Sequence, residues 1–562
     1  MNELFERKNQ NISWHFLVTV ESTQPSSLLP LKEGQPGTKN GRWMKRTGKL
    51  ILGFIFSLGL LALVAGAMAG TARADAALSG PTGLDDFQIS SFGPDGDTQY
   101  ETMRPSVAAN PAAKEFLVVW EGRAPGNASE IYGRRIDADT GLTIDTLDQP
   151  ISAIGAPAYT ARRPDVVFNP VNQEYLVVWY GDTPTTGDDV IEIFGQRLNA
   201  ATGQPVGDRI AISEVDAYPA LSPKVTYNAD DHEFLVAWIG NSPADSAYEV
   251  YSRRLDATTG QVLVGGEIRI SEMGPENDPD YLALGLDLVY NPIADEYLVA
   301  WSGVHNYPGT MAPGEIEVYG QRLRRDGARF GPFNFRMSYL GDTGDAAYTA
   351  GHPSIAFNHR DNQYLVVYTG EDDGGGLVEG EFEIWGSRIR PGPDYVQITH
   401  LRLSQTGGQG DSAWSALDPS VAYDGNSNEF FITWSADAPN NLVPKVGDDF
   451  EIYGARLAPD QNTIPEAFFL SEMGVDFFDG IGRAFQPAVA YNEANRQYLT
   501  VWRGDDGLSP LVDDEYEIFG QLYLVAEGQP QPTPTPPPPS PTPSPSPTPA
   551  ATYKNFLPYV SR

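Results

Sequence analysis

The chain contains no cysteine in 562 residues, and positive charge is scarce. The missing thiols exclude disulfides, thiolate metal sites and a cysteine nucleophile. Lys and Arg number 38 against 74 Asp and Glu, which gives a formal net charge of -36 at pH 7. Because such a surface repels polyanions and attracts cations, we exclude nucleic-acid partners and expect basic or cationic ones.

Catalytic motifs are also missing. The six histidines are scattered, and the sequence has no His-Glu-x-x-His pair, no Gly-x-Ser-x-Gly elbow and no phosphate-binding loop. We therefore assign no catalytic residue and no required cofactor. The sequence favours a binding role over an enzymatic one.

The N-terminal part carries an export signal. A basic cluster at residues 42–49 precedes an apolar run at 50–68, and Ala72-Arg73-Ala74 follows. This order predicts a signal peptide over 44–74, cleaved before Asp75, with residues 1–43 a non-native or disordered extension ahead of a true start at Met44. An uncleaved anchor is the alternative, since the run is long enough to span a bilayer. Either way we expect the bulk of the chain outside the cell, with residues 50–68 its sole membrane contact.

The C-terminal part has the composition of a stalk. Residues 529–551 are almost entirely Pro, Thr, Ser and Gln, which predicts an extended, disordered linker without a core. Residues 552–562 form a short apolar and basic tail that resembles the YLPLV-R-like termini of bacterial surface proteins with Pro/Thr-rich linkers. We leave open whether the tail is an attachment signal or a frayed end.

Between these ends, one four-part pattern recurs seven times. Its parts are typified by residues 487–492 (PAVAYN), 175–179 (YLVVW), 451–457 (EIYGARL) and 268–274 (IRISEMG). Each part is short, rich in β-branched and aromatic residues, and bounded by turn formers, so each predicts a strand. Four strands per unit, repeated every 59 to 68 residues, predict an all-β propeller over residues 85–526 with seven four-stranded antiparallel blades.

The spacing of two positions supports this prediction. An aromatic residue marks the second strand of each unit, at Trp120, Trp179, Trp238, Trp301, Tyr368, Trp434 and Trp502. Fifteen residues earlier stand Pro105, Pro164, Pro223, Leu286, Pro353, Pro419 and Pro487, near which the seven blades begin. The first hairpin therefore has one length throughout. An aromatic repeated in every unit indicates packing between blades, not ligand stacking.

The phase of the repeat predicts how the ring closes. The seventh unit lacks a fourth strand, and the missing piece stands upstream of the first unit at residues 87–93 (FQISSFG). An N-terminal strand that completes the last blade removes the open edges of the ring, and this arrangement resembles the closure of WD40-type propellers. The WD, kelch, sialidase Asp-box and integrin-type calcium-loop signatures are absent, so the resemblance concerns architecture alone. It implies a monomeric propeller.

Loop lengths distinguish the two faces of the predicted disc. With strands named A to D from channel to rim, the A–B hairpin is constant and the C-strand Glu to D-strand Ser distance stays at 20 to 22 residues. The B–C connection varies from 10 (Trp120 to Glu130) to 17 (Trp434 to Glu451), and the D–A connection from 10 to 16. We call the face that carries the B–C and D–A loops the variable face. A rigid scaffold that varies its loops on one side predicts a binding surface there.

The variable face is acidic and supplies the candidate binding residues. Aspartates in the B–C loops suit Ca²⁺, a hard cation, as weak metal candidates, although such residues also form turns: Asp188, Asp189, Asp372, Asp373, Asp448, Asp449, Asp505, Asp506, Asp513 and Asp514. The D–A loops repeat a Gly-Asp-x-x-aromatic motif suited to a glycan or a cationic peptide, at Asp97 and Tyr100, Asp345 and Tyr348, and Asp411 and Trp414. Arg104, Arg163 and His352 precede their Pro residues and complete the candidate site near the channel mouth.

A Glu opens each C strand, and in six blades an Arg follows five residues later. Since a catalytic residue is needed once and not seven times, we interpret these positions as charge pairs or loop ties.

The sequence thus predicts an extracellular or cell-surface protein that binds a glycan, a cell-wall component or a surface protein through the variable face, with Ca²⁺ as the one candidate ion. The alternatives are a secreted carbohydrate-active hydrolase or lyase with loop carboxylates, and a structural surface-layer component.

Overall fold

A computed structural model of the chain shows the predicted fold. It describes residues 80–126, 129–146, 148–153, 160–183, 187–214, 219–242, 245–305, 314–342, 344–372, 374–392, 396–407, 410–437, 450–473, 482–507 and 510–525. These residues form seven four-stranded antiparallel sheets, with one short 3-10 turn at Gly374–Gly376. The predicted signal peptide 44–74, the extension 1–43, the linker 529–551 and the tail 552–562 lie outside the described residues. In the described ranges, no helix has the length and the apolar character that crossing a bilayer requires.

Six blades take their strands in chain order, from A innermost to D outermost, and in the seventh blade the first strand of the chain is D. The A strands are β2 (Glu101–Asn110), β6 (Ala161–Asn169), β10 (Ala220–Asn228), β14 (Leu282–Asn291), β18 (Ala350–Asn358), β22 (Ala416–Asp424) and β26 (Arg483–Asn492). The B strands are β3 (Glu115–Arg123), β7 (Glu174–Thr183), β11 (Glu233–Ser242), β15 (Glu296–Val304), β19 (Gln363–Gly370), β23 (Glu429–Asp437) and β27 (Gln497–Asp505). The C strands are β4 (Ser129–Asp137), β8 (Gly187–Asn199), β12 (Asp245–Asp256), β16 (Ile316–Arg324), β20 (Glu383–Pro391), β24 (Phe450–Leu457) and β28 (Glu517–Leu524). The D strands are β5 (Gln149–Pro150), β9 (Pro205–Ala211), β13 (Ile268–Arg269), β17 (Arg329–Arg336), β21 (Val396–Arg402), β25 (Ala467–Phe469) and β1 (Gly80–Gln88).

The constant A–B hairpin has a local cause. Every A strand ends at an Asn or Asp, and in blade 2 the Asn169 side-chain oxygen accepts hydrogen bonds from the backbone N–H groups of Val171 and Asn172. The residue before each B strand is left-handed, with φ between 46° and 59°, as at Gln173. Because both features repeat in all seven blades, the turn admits one length. The A strands contact one another from blade to blade and surround the axis of the ring.

The aromatic residue of strand B packs between blades, as predicted. Trp179 is fully buried and shares a cluster with Leu117, Val119 and Ile131 of the preceding blade. Trp120 in the first blade packs with Leu499 of the seventh in the same way. Burying an aromatic side chain of this size stabilises the fold by about 3 kcal/mol. Seven such contacts are the main reason that the blades remain together.

Closure of the ring by the N-terminal strand is confirmed. Strand β1 pairs antiparallel with β28, from Gly80 opposite Leu524 to Gln88 opposite Phe519, with a bulge between Thr82 and Phe87. It begins at Gly80, ahead of the boundary predicted at residue 85, and its hydrogen bonding continues through Ile89 N–H to the Ile518 carbonyl. The ring therefore joins two chain segments more than 400 residues apart, and the last sheet has no missing strand.

The repeated C-strand Glu forms the same hydrogen-bond unit in all seven blades. Its carboxylate accepts the hydroxyl of the D-strand Ser, whose oxygen in turn accepts the backbone N–H of the residue after the Glu. The seven pairs are Glu130–Ser152, Glu192–Ser213, Glu249–Ser271, Glu317–Ser338, Glu383–Ser404, Glu451–Ser471 and Glu517–Ser90. In the last pair the Ser comes from the N-terminal segment, so the closing strand repeats the tie that holds every other D strand. The interpretation of this Glu as a loop tie is confirmed.

The Arg five residues later is a charge pair in most blades. Arg197, Arg254, Arg322 and Arg456 each bind the Glu that opens the neighbouring B strand, with Arg322 Nε donating to Glu296 at 2.8 Å. In blade 5 that Glu is Gln363, and Arg388 binds the Gln461 carbonyl and Asn462 instead. In blade 7 both charges are absent, because Gln497 and Leu522 occupy the two positions. Blade 5 therefore keeps the Arg without the Glu and gives it other partners, whereas blade 7 has lost both charges.

Candidate functional site

A ring of seven residues surrounds the axis near the variable face, one from each A strand, directly before the Pro position. The ring is formed by Arg104, Arg163, Ser222, Gly285, His352, Asp418 and Gln486. The six non-glycine members share one left-handed backbone conformation, with φ between 50° and 56°, at a bulge in the A–B pairing. We call this set the mouth ring. A left-handed non-glycine residue costs about 1 kcal/mol or more, so the scaffold holds the same strained geometry at six positions that carry five different side chains.

Members of the mouth ring bind their neighbours across blade boundaries. The Gln486 side-chain oxygen accepts the Arg104 backbone N–H at 3.1 Å, which links blades 7 and 1. Arg163 Nη1 donates to Ser222 Oγ at 3.2 Å, which links blades 2 and 3. His352 Nδ1 bonds to Asp418 Oδ1 between blades 5 and 6. The sequence placed Arg104, Arg163 and His352 at this mouth, and the structure adds their partners.

Glu121 is the buried carboxylate of the mouth. It follows Trp120 on β3, is 2% exposed, and accepts Arg104 Nη1 at 3.1 Å and the Arg163 backbone N–H at 3.2 Å. Arg162 Nε lies 3.9 Å from its other oxygen. Burial, together with the positive charge of Arg104, lowers the pKa of Arg163 to about 10. One carboxylate thus contacts two guanidinium groups and the backbone of a third arginine, which places net positive charge around Glu121 at the mouth of a strongly acidic protein.

A second ring lies one layer deeper, at the residue after each Pro position. Asp165 accepts Ser106 Oγ at 2.9 Å and the backbone N–H of Val225 in the next blade at 2.9 Å. Lys224 Nζ lies 3.5 Å from Asp165, and this charge and that of Asp287 raise the pKa of Lys224 against the opposing effect of burial. Burial raises the pKa of Asp287. The sequence analysis missed this Asp–Lys–Asp row, although its signal was present as charged residues of opposite sign at one repeat position in three successive blades.

The Gly-Asp-x-x-aromatic motif has a structural role in its loops. Asp345 accepts the backbone N–H of Ala347 at 2.8 Å and so forms an Asx turn, and the Tyr348 ring lies over Gly341, where an added Cβ would come within 2.5 Å of the ring. Asp97 with Tyr100 over Gly93, and Asp411 with Trp414 over Gly407, repeat the arrangement. The three copies lead into blades 1, 5 and 6. Whether their exposed edges also contact a ligand stays a prediction.

Among the predicted metal-binding aspartates, Asp505, Asp513 and Asp514 come together, with one carboxylate oxygen from each within 4.8 Å of the others. Burial, followed by the charge of Asp513, raises the pKa of Asp505 to about 6, against hydrogen bonds from the N–H groups of Asp514 and Gly507. Asp372 instead accepts the Gly341 N–H at 2.9 Å. Asp506 follows directly after the strand that ends at Asp505. The side chains of Asp188 and Asp189, and residues Asp373, Asp448 and Asp449, lie outside what the structure describes.

Comparisons with known proteins show no matching family model and no matching curated protein. Among solved structures, the chain is similar to an α-L-arabinanase of Penicillium chrysogenum, at 12% identity and TM-score 0.41 over 79% of this chain and 98% of that one. It is similar to a GH93 α-L-arabinofuranosidase of Fusarium graminearum, at 11% identity and TM-score 0.40 over 78% and 97%. It is also similar to a prolyl endopeptidase structure, at 11% identity and TM-score 0.37 over 76% and 50%. Similarity at this level does not indicate what the chain binds.

Proposed function

We propose that this chain is an exported, ligand-binding β-propeller that binds a glycan, a cell-wall component or a surface protein at the mouth of its variable face. The observation that carries the proposal is the mouth ring. Positions that serve the scaffold, such as the buried Trp and the Glu–Ser tie, repeat from blade to blade, whereas the mouth ring keeps its strained backbone and presents Arg, Ser, Gly, His, Asp and Gln in turn. Side chains that differ around a fixed ring are suited to an asymmetric ligand.

The surrounding loops supply the rest of the proposed site. The B–C and D–A loops of varying length border the mouth, and the Asp505, Asp513 and Asp514 cluster lies at the variable-face end of blade 7. Carboxylates at this separation offer the oxygen ligands that Ca²⁺ takes. The Ca²⁺ candidate is therefore part of the proposal, as an ion that would order one loop at the edge of the site and take no part in chemistry.

A second candidate function is a carbohydrate-active enzyme of the same fold. The observation in its favour is the His352–Asp418 pair, which joins a proton-transfer group to a carboxylate at the mouth. Turnover on a panel of polysaccharides separates the two candidates. Release of reducing ends by the full chain, lost in His352→Ala, would establish the enzyme and displace the binding role as the main function.

The test of the proposed function is a binding screen of the full chain on arrayed glycans, cell-wall fragments and surface-protein extracts, with two matched variants. His352→Ala changes the mouth ring. Arg325→Ala removes an exposed Arg of the opposite face, where it pairs with Asp231 and Asp295. We expect saturable binding that His352→Ala weakens at least tenfold and Arg325→Ala leaves unchanged. Binding lost in Arg325→Ala and kept in His352→Ala would contradict the assignment of the face.

A further inference from the structure

The mouth gathers arginines on one side, although the chain as a whole is acidic. Blades 7, 1 and 2 bring together five guanidinium groups against two carboxylates, Glu101 and Glu121. The five belong to Arg104, Arg123, Arg162, Arg163 and Arg503. Glu121 binds Arg104 and Arg162, and Glu101 binds Arg123. Among these seven groups the positive charges outnumber the negative ones by three, whereas the whole chain has a net charge of -36.

Arg503 has no anionic partner in its part of the structure. It follows Trp502 on β27, its guanidinium lies 3.8 Å from the centre of the Tyr516 ring, and its Nε is buried without a hydrogen-bond acceptor. Within the described residues its side chain forms neither a hydrogen bond nor an ion pair. Glu121, Tyr180, Ile239, Ser302, Thr369 and Ser435 occupy the same position in the other blades. The repeat therefore does not require an Arg here.

The unpaired charge is unfavourable in the free protein. Burial lowers the pKa of Arg503, and the neighbouring Arg104 and Arg123 act in the same direction against Tyr516 and Glu101. A half-buried guanidinium that forms no ion pair costs free energy that an anion would recover. An oxyanion within reach would also supply the acceptors that the guanidinium fork lacks.

We propose that the arginine side of the mouth, centred on Arg503 and Arg123, binds the oxyanion of a small ligand, such as the carboxylate of a sugar acid. A guanidinium binds a carboxylate through two parallel hydrogen bonds, and the Arg503 guanidinium is positioned for this by its contact with the Tyr516 ring. The acidic loops around the mouth repel a long polyanion, so the anionic group belongs to a free small acid or to the end of an otherwise neutral chain. This inference rests on the proposed function and specifies the charge of its ligand.

The test measures binding of sodium glucuronate, glucose and sodium sulfate to the full chain by calorimetry and by the shift in melting temperature. Arg503→Gln removes the unpaired charge, and Arg123→Gln is a second variant at a side chain that is 38% exposed. Arg209→Gln is the matched control, since Arg209 also stacks on an aromatic ring, Phe194, but on outer strand β9.

We expect saturable glucuronate binding to the wild type and to Arg209→Gln, at least tenfold weaker binding to both mouth variants, and no binding of glucose. Competition by sulfate would support the oxyanion site and show that charge, not the sugar ring, determines recognition. We also expect the unliganded Arg503→Gln protein to melt no lower than the wild type, which a structural Arg would not allow.

Equal binding of glucose and glucuronate, unchanged glucuronate binding in Arg503→Gln, or no glucuronate binding to the wild type would overturn the inference. A ligand that is lost in His352→Ala and kept in Arg503→Gln would overturn it as well, while leaving the proposed function intact. The two proposals therefore fail on different results.

Discussion

The effect of Glu517→Gln on the free energy of unfolding should change sign between low and high pH. Glu517 is 3% exposed and ties the closing strand by accepting the Ser90 hydroxyl and the Phe92 N–H at 2.7 Å. Burial raises its pKa from 4.5 to about 7, against these hydrogen bonds and with a further contribution from Asp148 and Glu515. The equivalent Glu383 has Arg402 at 2.8 Å, whereas the charges that most affect Glu517 are acidic.

The sign of the effect follows from linkage. The folded protein binds the Glu517 proton more tightly than the unfolded chain, so its contribution is fully present below pH 4.5 and is lost as the pH rises to about 7. A difference of this size corresponds to roughly 3 kcal/mol. Glu517→Gln stays neutral at every pH and loses about 1 kcal/mol from a poorer bond to Ser90. We therefore expect the variant to be slightly less stable than the wild type at pH 5, where almost 1 kcal/mol of the contribution of Glu517 is already lost, and more stable by about 2 kcal/mol at pH 8.

The assay is urea unfolding between pH 5 and pH 8, followed by the fluorescence of the buried tryptophans. Other titrating groups cancel in the difference between variant and wild type. The matched control is Glu383→Gln, which leaves Arg402 without its carboxylate and should destabilise by about 2 kcal/mol near pH 5. Burial also raises the pKa of Glu383, with Arg402 opposing it, so the difference between this variant and the wild type should change with pH in the same direction as that of Glu517→Gln, but by less. A difference between Glu517→Gln and wild type that does not change from pH 5 to pH 8 would refute the reasoning.

Three further substitutions or additions test other parts of the structure. Glu429→Gln and Arg456→Leu should each destabilise the fold by about 3 kcal/mol, because each leaves the partner's charge unpaired. The double variant should recover most of this loss, since it recreates the Gln497 and Leu522 pair of blade 7, and additive losses in urea unfolding would contradict this. Gly181→Ala should lower the free energy of unfolding by about 2 kcal/mol, since the added Cβ would lie 2.0 Å from the Thr160 carbonyl oxygen. Gly285 has open space around it, so Gly285→Ala should change the free energy of unfolding by less than about 0.5 kcal/mol, and equal melting temperatures of the two variants would contradict this packing. Millimolar Ca²⁺ should raise the melting temperature of the wild type and leave that of Asp505→Asn unchanged. If the two proteins respond identically, or if the wild type does not respond, Asp505, Asp513 and Asp514 do not form a calcium site.

The architecture was predictable because its causes repeat along the chain. The Trp to Pro spacing reports a hairpin of one length, and the structure shows the turn responsible, with its left-handed residue before each B strand. The closing strand was predictable because the order of the four strand patterns leaves one part over at the N-terminal end. The length of this strand was not predictable, since the segment from Gly80 to Thr82 pairs with β28 on the N-terminal side of a bulge that no repeat encodes.

The candidate site was predictable in place and not in its contacts. Arg104, Arg163 and His352 could be assigned to the mouth from their position before the Pro. Their partners could not, because Arg104 meets Gln486 across 382 residues, and such pairings depend on ring geometry. The acidic character predicted for the variable face holds for the Asp505 loop, but the mouth itself is basic on one side. Its basic residues Arg503 and Arg123 lie in the last residues of B strands, whereas the prediction concerned the loops.

Removal of residues 80–92 from the full chain tests the closed ring most directly, since the mouth ring exists only if blade 7 is complete. The deletion exposes the edge of β28 and removes buried Phe87 and Ile89, Ser90 and the cap on Glu517, a loss of roughly 5 kcal/mol or more. We predict a fall of at least several degrees in melting temperature and rapid amide hydrogen exchange in Glu517–Leu524, neither of which removal of linker residues 529–551 should produce. An unchanged melting temperature with β28 still protected would contradict the closed ring.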